Sequence, residues 1–181
     1  MSVLTTKPQR APSSKKRSGA LKRELPNQSE IQTYLDARIA GERDEKLRAA
    51  QDFIYDAWEL TSARSRIALA YKALRLSPLC ADGYNVLAAE ITSPKQARDL
   101  YNKGIEAGRM ALGPEGFKQH AGKFWRVLET RPYMRSMAGL AEMNKNLGEP
   151  AMAAAVYQEM LTLNPNDIQG VRYLLAALVA K

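Results

Sequence analysis

One stretch, Met134 to Asp167 (MRSMAGLAEMNKNLGEPAMAAAVYQEMLTLNPND), restricts what this chain can fold into more than any other. It reads as two helices joined by a tight turn, a unit of roughly 34 residues. Met137, Leu140, Ala141 and Asn144 fall three or four apart and therefore share one helical face. Leu147-Gly148 closes that helix, because glycine takes the left-handed conformation at a helix end without a steric penalty. Pro150 sits in the first turn of the next helix, where its missing N–H costs nothing. Ala153, Val156, Tyr157 and Met160 line one side of that helix, and Pro165 predicts its end. Small residues, Ala141 and Ala153, stand where two antiparallel helices approach most closely. Such a pair cannot bury its apolar face alone and needs stacked neighbours. The expected fold is all-α, a right-handed α-solenoid of helix pairs.

Composition agrees with that reading. Alanine, leucine and charged residues dominate the 181 positions and β-branched residues are scarce, which favours helices. The single cysteine, Cys80, rules out an intramolecular disulfide and a zinc cluster built from thiolates. A reducing cytoplasm is the expected setting. The start MSVLTTKPQR shows no apolar core with a cleavage site, so no secretory signal is expected. The longest strongly apolar run, Tyr173 to Ala180, falls far short of the roughly 20 residues that span a bilayer. No membrane span is predicted.

The net charge of +8 is concentrated at one end. Residues 1–29 hold seven of the 27 basic residues (Lys7, Arg10, Lys15, Lys16, Arg17, Lys22 and Arg23) but one acid, Glu24. The remainder is nearly balanced. A segment so poor in apolar residues cannot offset its ordering entropy, so 1–29 is expected to be a disordered basic tail ahead of a helical domain over 30–181. Such a tail suits a tether to nucleic acid, an acidic partner or an anionic surface. A solubilising extension is the plainer alternative, and no aromatic residue is interleaved to stack on bases.

Before the complete unit, the same pattern recurs in weaker form. Ser29 or Asn27 is placed to cap a helix carrying Ile31, Leu35 and Ile39, which Gly41 interrupts or ends. A helix from about Arg43 to Leu60 puts Leu47, Ala50, Phe53, Ile54, Ala57 and Trp58 on its buried side. With the helix Ala63 to Leu76 it forms a first repeat over about 47–78, in which Arg66 fills a slot usually given to a small residue. A second repeat over about 81–107 carries Tyr84, Leu87, Ala88 and Ile91, a Ser93-Pro94 turn, then Ala97, Leu100, Tyr101, Gly104 and Ile105.

Gly108 to Pro132 departs from the pattern. After the Gly113-Pro114 turn signal, Phe117, Ala121, Phe124 and Leu128 predict one inserted helix over about 114–129. Trp125 and Val127 lie off that stripe, so Phe124-Trp125 either fills the core or anchors a partner. The complete unit over 134–167 follows. A terminal helix over 168–180 then carries Val171, Leu174, Leu175 and Leu178 and is apolar nearly all round. The inserted helix or another copy of the chain is expected to cover it, the latter giving a homo-oligomer.

The helix pairs resemble tetratricopeptide repeats, most clearly through LGEPAMAAAVYQEMLTLNPND. More narrowly, the chain from about Glu45 is similar to bacterial tetratricopeptide-like relatives of the suppressor-of-tumorigenicity family. That similarity is carried by ALRLSPLCADGYNVLA, by Phe-Trp and the ETRPYMR that follows, and by LNPNDIQGVRYLLAAL. The resemblance implies a helical interaction scaffold without established chemistry.

Catalytic constellations are thin. His120 is the single histidine, Cys80 falls in a turn after Pro78, and no glycine-rich phosphate loop is present. The expectation is no enzyme, no cofactor and no metal site. Binding is the stronger reading. The first helix of each pair lines the groove of such a solenoid, which turns Arg48, Gln51 and Tyr55 into it, then Asp82, Asn85 and Ala89. Arg135, Ala138 and Glu142 follow, with Gln169 and Arg172 from the terminal helix. Arg48, Asn85, Arg135 and Arg172 could together hold a carboxylate or an acidic peptide. Alternatively these arginines are merely solvated or pair with Asp82 and Glu142. The expected function is a protein-interaction scaffold or adaptor taking a peptide or helix in its groove. The alternative is a regulatory nucleic-acid-associated protein tethered by its basic tail.

Overall fold

The computed structural model describes residues 28–179. Two units divide the chain, Met1–Asp36 and Ala37–Lys181. Within the first, Gln32 Nε2 donates to Asp36 Oδ1 at 2.9 Å, one helical turn apart. The basic tail expected over 1–29 lies outside the described residues except for Gln28 and Ser29, which begin the first helix. The side chains of Ile31 and Leu35 also lie outside those described.

Among the described residues the fold is all-α, with no strand. Seven helical segments follow one another: α1 (Gln28–Glu59), α2 (Ala63–Leu76), α3 (Ala81–Ala89), α4 (Pro94–His120, broken by a kink at Gly113, φ 60°), α5 (Arg131–Asn146), α6 (Pro150–Leu163) and α7 (Val171–Val179). Two single 3-10 turns, Phe124–Arg126 and Leu128–Thr130, separate α4 from α5. Prolines occupy the first turns of α4, α5 and α6. Gly148 (φ 77°) closes α5, its N–H donating to the Lys145 carbonyl at 3.1 Å. The Asp167 carboxylate caps α7, accepting the N–H groups of Val171 (2.6 Å) and Arg172 (3.0 Å).

Each helix from α2 onward packs on the next in sequence, and α3 also reaches α5. The apolar side chains form two clusters. One unites Ala50 and Ile54 of α1 with Ala70, Ala73, Cys80, Val86 and Leu87. The other gathers Phe124, Tyr133, Met134, Met137 and Ala141 with Tyr157, Met160 and Val171. Helix α4 runs against both α3 and α5 by means of small buried residues, Ala97, Gly104, Ala107 and Gly108. Arg66, in its unusual slot, finds a use at the end of α1. Its guanidinium donates to the Leu60 and Thr61 carbonyls, both at 2.9 Å, and to Glu90 at 2.5 Å. That satisfies carbonyls the helix leaves without partners.

Three expectations need correction. Gly41 neither ends nor interrupts a helix, because α1 runs through it. A lone glycine costs a helix about 1 kcal/mol relative to alanine, which its neighbours can absorb. The helix expected over 114–129 ends at His120. Gly122 (φ 75°) follows it, and the buried Thr130 hydroxyl then donates to the Phe124 and Val127 carbonyls, holding the segment in short turns. Phe124 is fully buried and Trp125 packs on the same cluster, whereas Leu128 points outward at 61% exposure. Finally, Trp58 and Leu174, expected out of solvent, are exposed, as is Ile39.

The glycines separate backbone propensity from space. A Cβ at Gly104 would stand 2.5 Å from Ser136 Oγ, which is buried and hydrogen-bonded, whereas a Cβ at Gly41 meets nothing within 4 Å. Gly41→Ala is therefore expected to raise stability by about 0.5–1 kcal/mol, and Gly104→Ala to lower it by about 1–3 kcal/mol. Urea denaturation of the two variants checks the opposite signs.

Candidate functional site

Where α3 meets α5, the two apolar clusters are joined by polar side chains rather than by more hydrocarbon. Asp82, one residue into α3, is fully buried. Arg135 of α5 grips it with two hydrogen bonds, Nε to Oδ1 at 2.8 Å and Nη2 to Oδ2 at 2.5 Å. Gln51 Nε2 of α1 donates to Oδ2 at 3.0 Å, and Asn85 Nδ2 to Oδ1 at 2.9 Å. The network extends from there. Ser136 Oγ donates to Asn85 Oδ1 at 2.7 Å, and Asn85 Nδ2 also reaches the Pro132 carbonyl at 3.1 Å. Three helices thus share one carboxylate. Its lone pairs are satisfied in the fork geometry that a planar guanidinium offers.

Cys80 lies against the same network, its Sγ 3.8 Å from Gln51 Oε1. Burial pushes its thiol up from the ordinary 9.0 to about 11, so the reactive thiolate is suppressed at neutral pH. The Cys80 side chain is a packing element of the first apolar cluster. Among the described residues, no three His, Cys, Asp or Glu side chains converge as metal ligands would.

Beside this network opens a cavity of about 430 Å³. The second half of α1 forms one wall with Leu47, Arg48, Gln51, Asp52 and Tyr55. Leu79 and Ala81 contribute from the start of α3, Gly108 and Ala111 from α4, and Leu128, Glu129 and Pro132 from the approach to α5. Trp58 stands next to Tyr55 with ring centroids 5.7 Å apart, and the Arg135 guanidinium lies 5.0 Å from the Trp58 ring centroid. Both aromatic side chains remain almost half exposed. A second cavity of about 370 Å³, beside Tyr71, Leu87 and Glu90, contains none of the residues expected at a groove.

Seven of the residues expected at the groove, Arg48, Gln51, Tyr55, Asn85, Arg135, Glu142 and Arg172, separate into three groups. Arg48, Gln51 and Tyr55 line the larger cavity. Asn85 and Arg135 connect to it through Asp82 and Gln51 as parts of the supporting network. Glu142 and Arg172 lie elsewhere: Glu142 is exposed on α5, and Arg172 pairs with Asp167 at 3.6 Å and donates to the Pro165 carbonyl. Two of the arginines expected to hold a carboxylate are therefore engaged by carboxylates of the chain itself. Sequence periodicity missed Leu128, Glu129 and Pro132, since the inserted segment turns rather than running as a helix. Gly122 was the available signal.

No family model matches the chain, and neither does any curated protein or solved structure. No helix among the described residues is long and apolar enough to cross a membrane.

Removing the Arg135 guanidinium leaves a buried carboxylate without its counter-charge. Arg135→Ala is expected to cost about 3–5 kcal/mol by urea denaturation, and pairing Asp82→Asn with Arg135→Met to recover much of that loss. For Cys80, the folded state favours the protonated thiol. Its contribution is complete below the ordinary 9.0 and is lost as pH climbs through about 11, an alkaline slope that Cys80→Ala should flatten. Alkylation by iodoacetamide at neutral pH should be slow in the folded chain and fast in denaturant.

Proposed function

We propose that the chain is a non-enzymatic interaction scaffold, a right-handed solenoid of tetratricopeptide-like helix pairs that receives a peptide or helix of another protein in the cavity beside α1. The sequential packing of α2 to α7 and the contact of α3 with α5 support the stacked-pair reading, since first helices of successive pairs lie side by side in such a stack. One observation carries the binding reading. An apolar cavity lined by the exposed Tyr55, with Trp58 packed beside that ring, is backed by a network that reaches its wall through Gln51. Exposed aromatic side chains next to a concave apolar surface are where binding energy concentrates. Cys80 is buried and so is not placed as an accessible nucleophile. Self-association through α7 would use Ile168, Tyr173 and Leu174, which are exposed. The nucleic-acid alternative rests on the tail, outside the described residues.

Selection of a displayed random-peptide library on the full chain tests the proposal. Enriched peptides are expected to lose binding to Tyr55→Ala and to keep it with Tyr173→Ala, an exposed control on α7. Loss of binding energy on truncating such an aromatic anchor is typically about 2 kcal/mol or more. Peptides that bind Tyr55→Ala as well as the unaltered chain overturn the groove as the binding site.

A further inference from the structure

We infer that the occupant of this groove is an extended, proline-rich segment carrying a basic residue; the inference rests on the groove reading above and names its ligand class. Charge is the first reason. Arg135 is neutralised by Asp82, so the rim is left with Arg48 against Asp52 and Glu129. Both acids are exposed, and neither is in an ion pair among the described residues. Asp56 and Glu59 continue the acidic surface along α1. An acidic ligand meets net repulsion here, and a basic one meets two carboxylates.

The aromatic pair supplies the second reason. Tyr55 and Trp58 are 49% and 44% exposed, and their planes are inclined at 55°. The two rings touch, and the Arg135 guanidinium lies 5.0 Å from the Trp58 ring centroid. Adjacent exposed aromatic side chains suit proline rings, which pack on them with little conformational entropy left to lose. The donors give the third reason. Tyr55 and Trp58 are exposed side chains that each carry one donor, a hydroxyl and an indole N–H. A helical ligand has already committed most of its carbonyls internally, whereas a polyproline II segment has none committed and can accept both donors. Arg48, Gln51, Tyr55 and Trp58 follow one another at spacings of three and four on one face of α1. The strip from Arg48 to Trp58 is about 15 Å long, which matches about five residues of polyproline II.

Three synthetic peptides and the ¹H–¹⁵N spectrum of the full chain test this. The chain has two tryptophans, and Trp125, packed on the second apolar cluster, serves as the internal control for the Trp58 indole signal. A short proline-rich peptide with paired arginines is expected to shift the Trp58 indole and leave that of Trp125 in place. Replacing its arginines by glutamates, or using the Asp52→Lys, Glu129→Lys chain, should weaken binding at least about tenfold, as should Tyr55→Ala. If an alanine-based helical peptide of equal charge moves Trp58 at lower concentration, the ligand class is overturned while the groove stands. The ligand class is overturned in the same way if no proline-rich peptide binds although library selection yields Tyr55-dependent binders. If selection also yields none, both the class and the groove reading fall.

Discussion

Asp82 is a carboxylate with no access to solvent, and the arrangement of three helices depends on how its charge is met. Isolated in a protein interior, an ionised carboxylate is too costly to retain. Here Arg135, Gln51 and Asn85 converge on its two oxygens from α5, α1 and α3. None of these partners is interchangeable, because each approaches from a different element. Sliding α5 along α3 by one turn would strand both Asp82 and Asn85, so the network selects a single register where apolar contacts alone would tolerate several. A buried ion pair of this kind contributes less to net stability than its short distances suggest, because desolvation opposes the Coulomb attraction. Its stronger effect is on which arrangement is allowed.

The junction also bears on the cavity beside it. Gln51 and Pro132 belong at once to the cavity wall and to the network behind it. Side chains fixed from behind lose little freedom when a ligand arrives, which is the condition for a preorganised surface. Tyr55 and Trp58 are supported in the same way: each lies against the other, and Arg135 bridges the buried acid and the exposed indole. One arginine therefore couples the core to the exposed aromatic pair.

The segment between α4 and α5 follows a different logic from the regular helices. Phe117, Phe124 and Tyr133 meet in tilted and edge-on contacts with centroids between 5.1 and 6.1 Å. Around this aromatic plug the backbone is irregular. Its carbonyls are therefore satisfied from side chains, Thr130 for Phe124 and Val127 and Arg131 for Trp125. The irregularity places Leu128 and Glu129 at the cavity, where a continued helix would have pointed them elsewhere.

Much of the secondary structure was legible in the sequence because its causes are local. Pro94, Pro150 and Gly148 act within one turn of their own positions, and the spacing of Met137, Ala141 and Asn144 or of Ala153, Tyr157 and Met160 states which face of a helix is apolar. These residues are buried as their spacing requires. Local rules were less secure where two of them competed, as at Gly41, where helical neighbours outweighed a residue that favours interruption, and after His120, where Gly122 outweighed the apolar stripe running past it. Only the tertiary structure decided that Arg135 would meet Asp82, 53 residues away, or that Leu128 would face the same cavity as Tyr55. Periodicity identifies a face but not the rotation and offset of one helix against another. Those depend on packing volumes and on buried charge, which no stretch of sequence contains by itself.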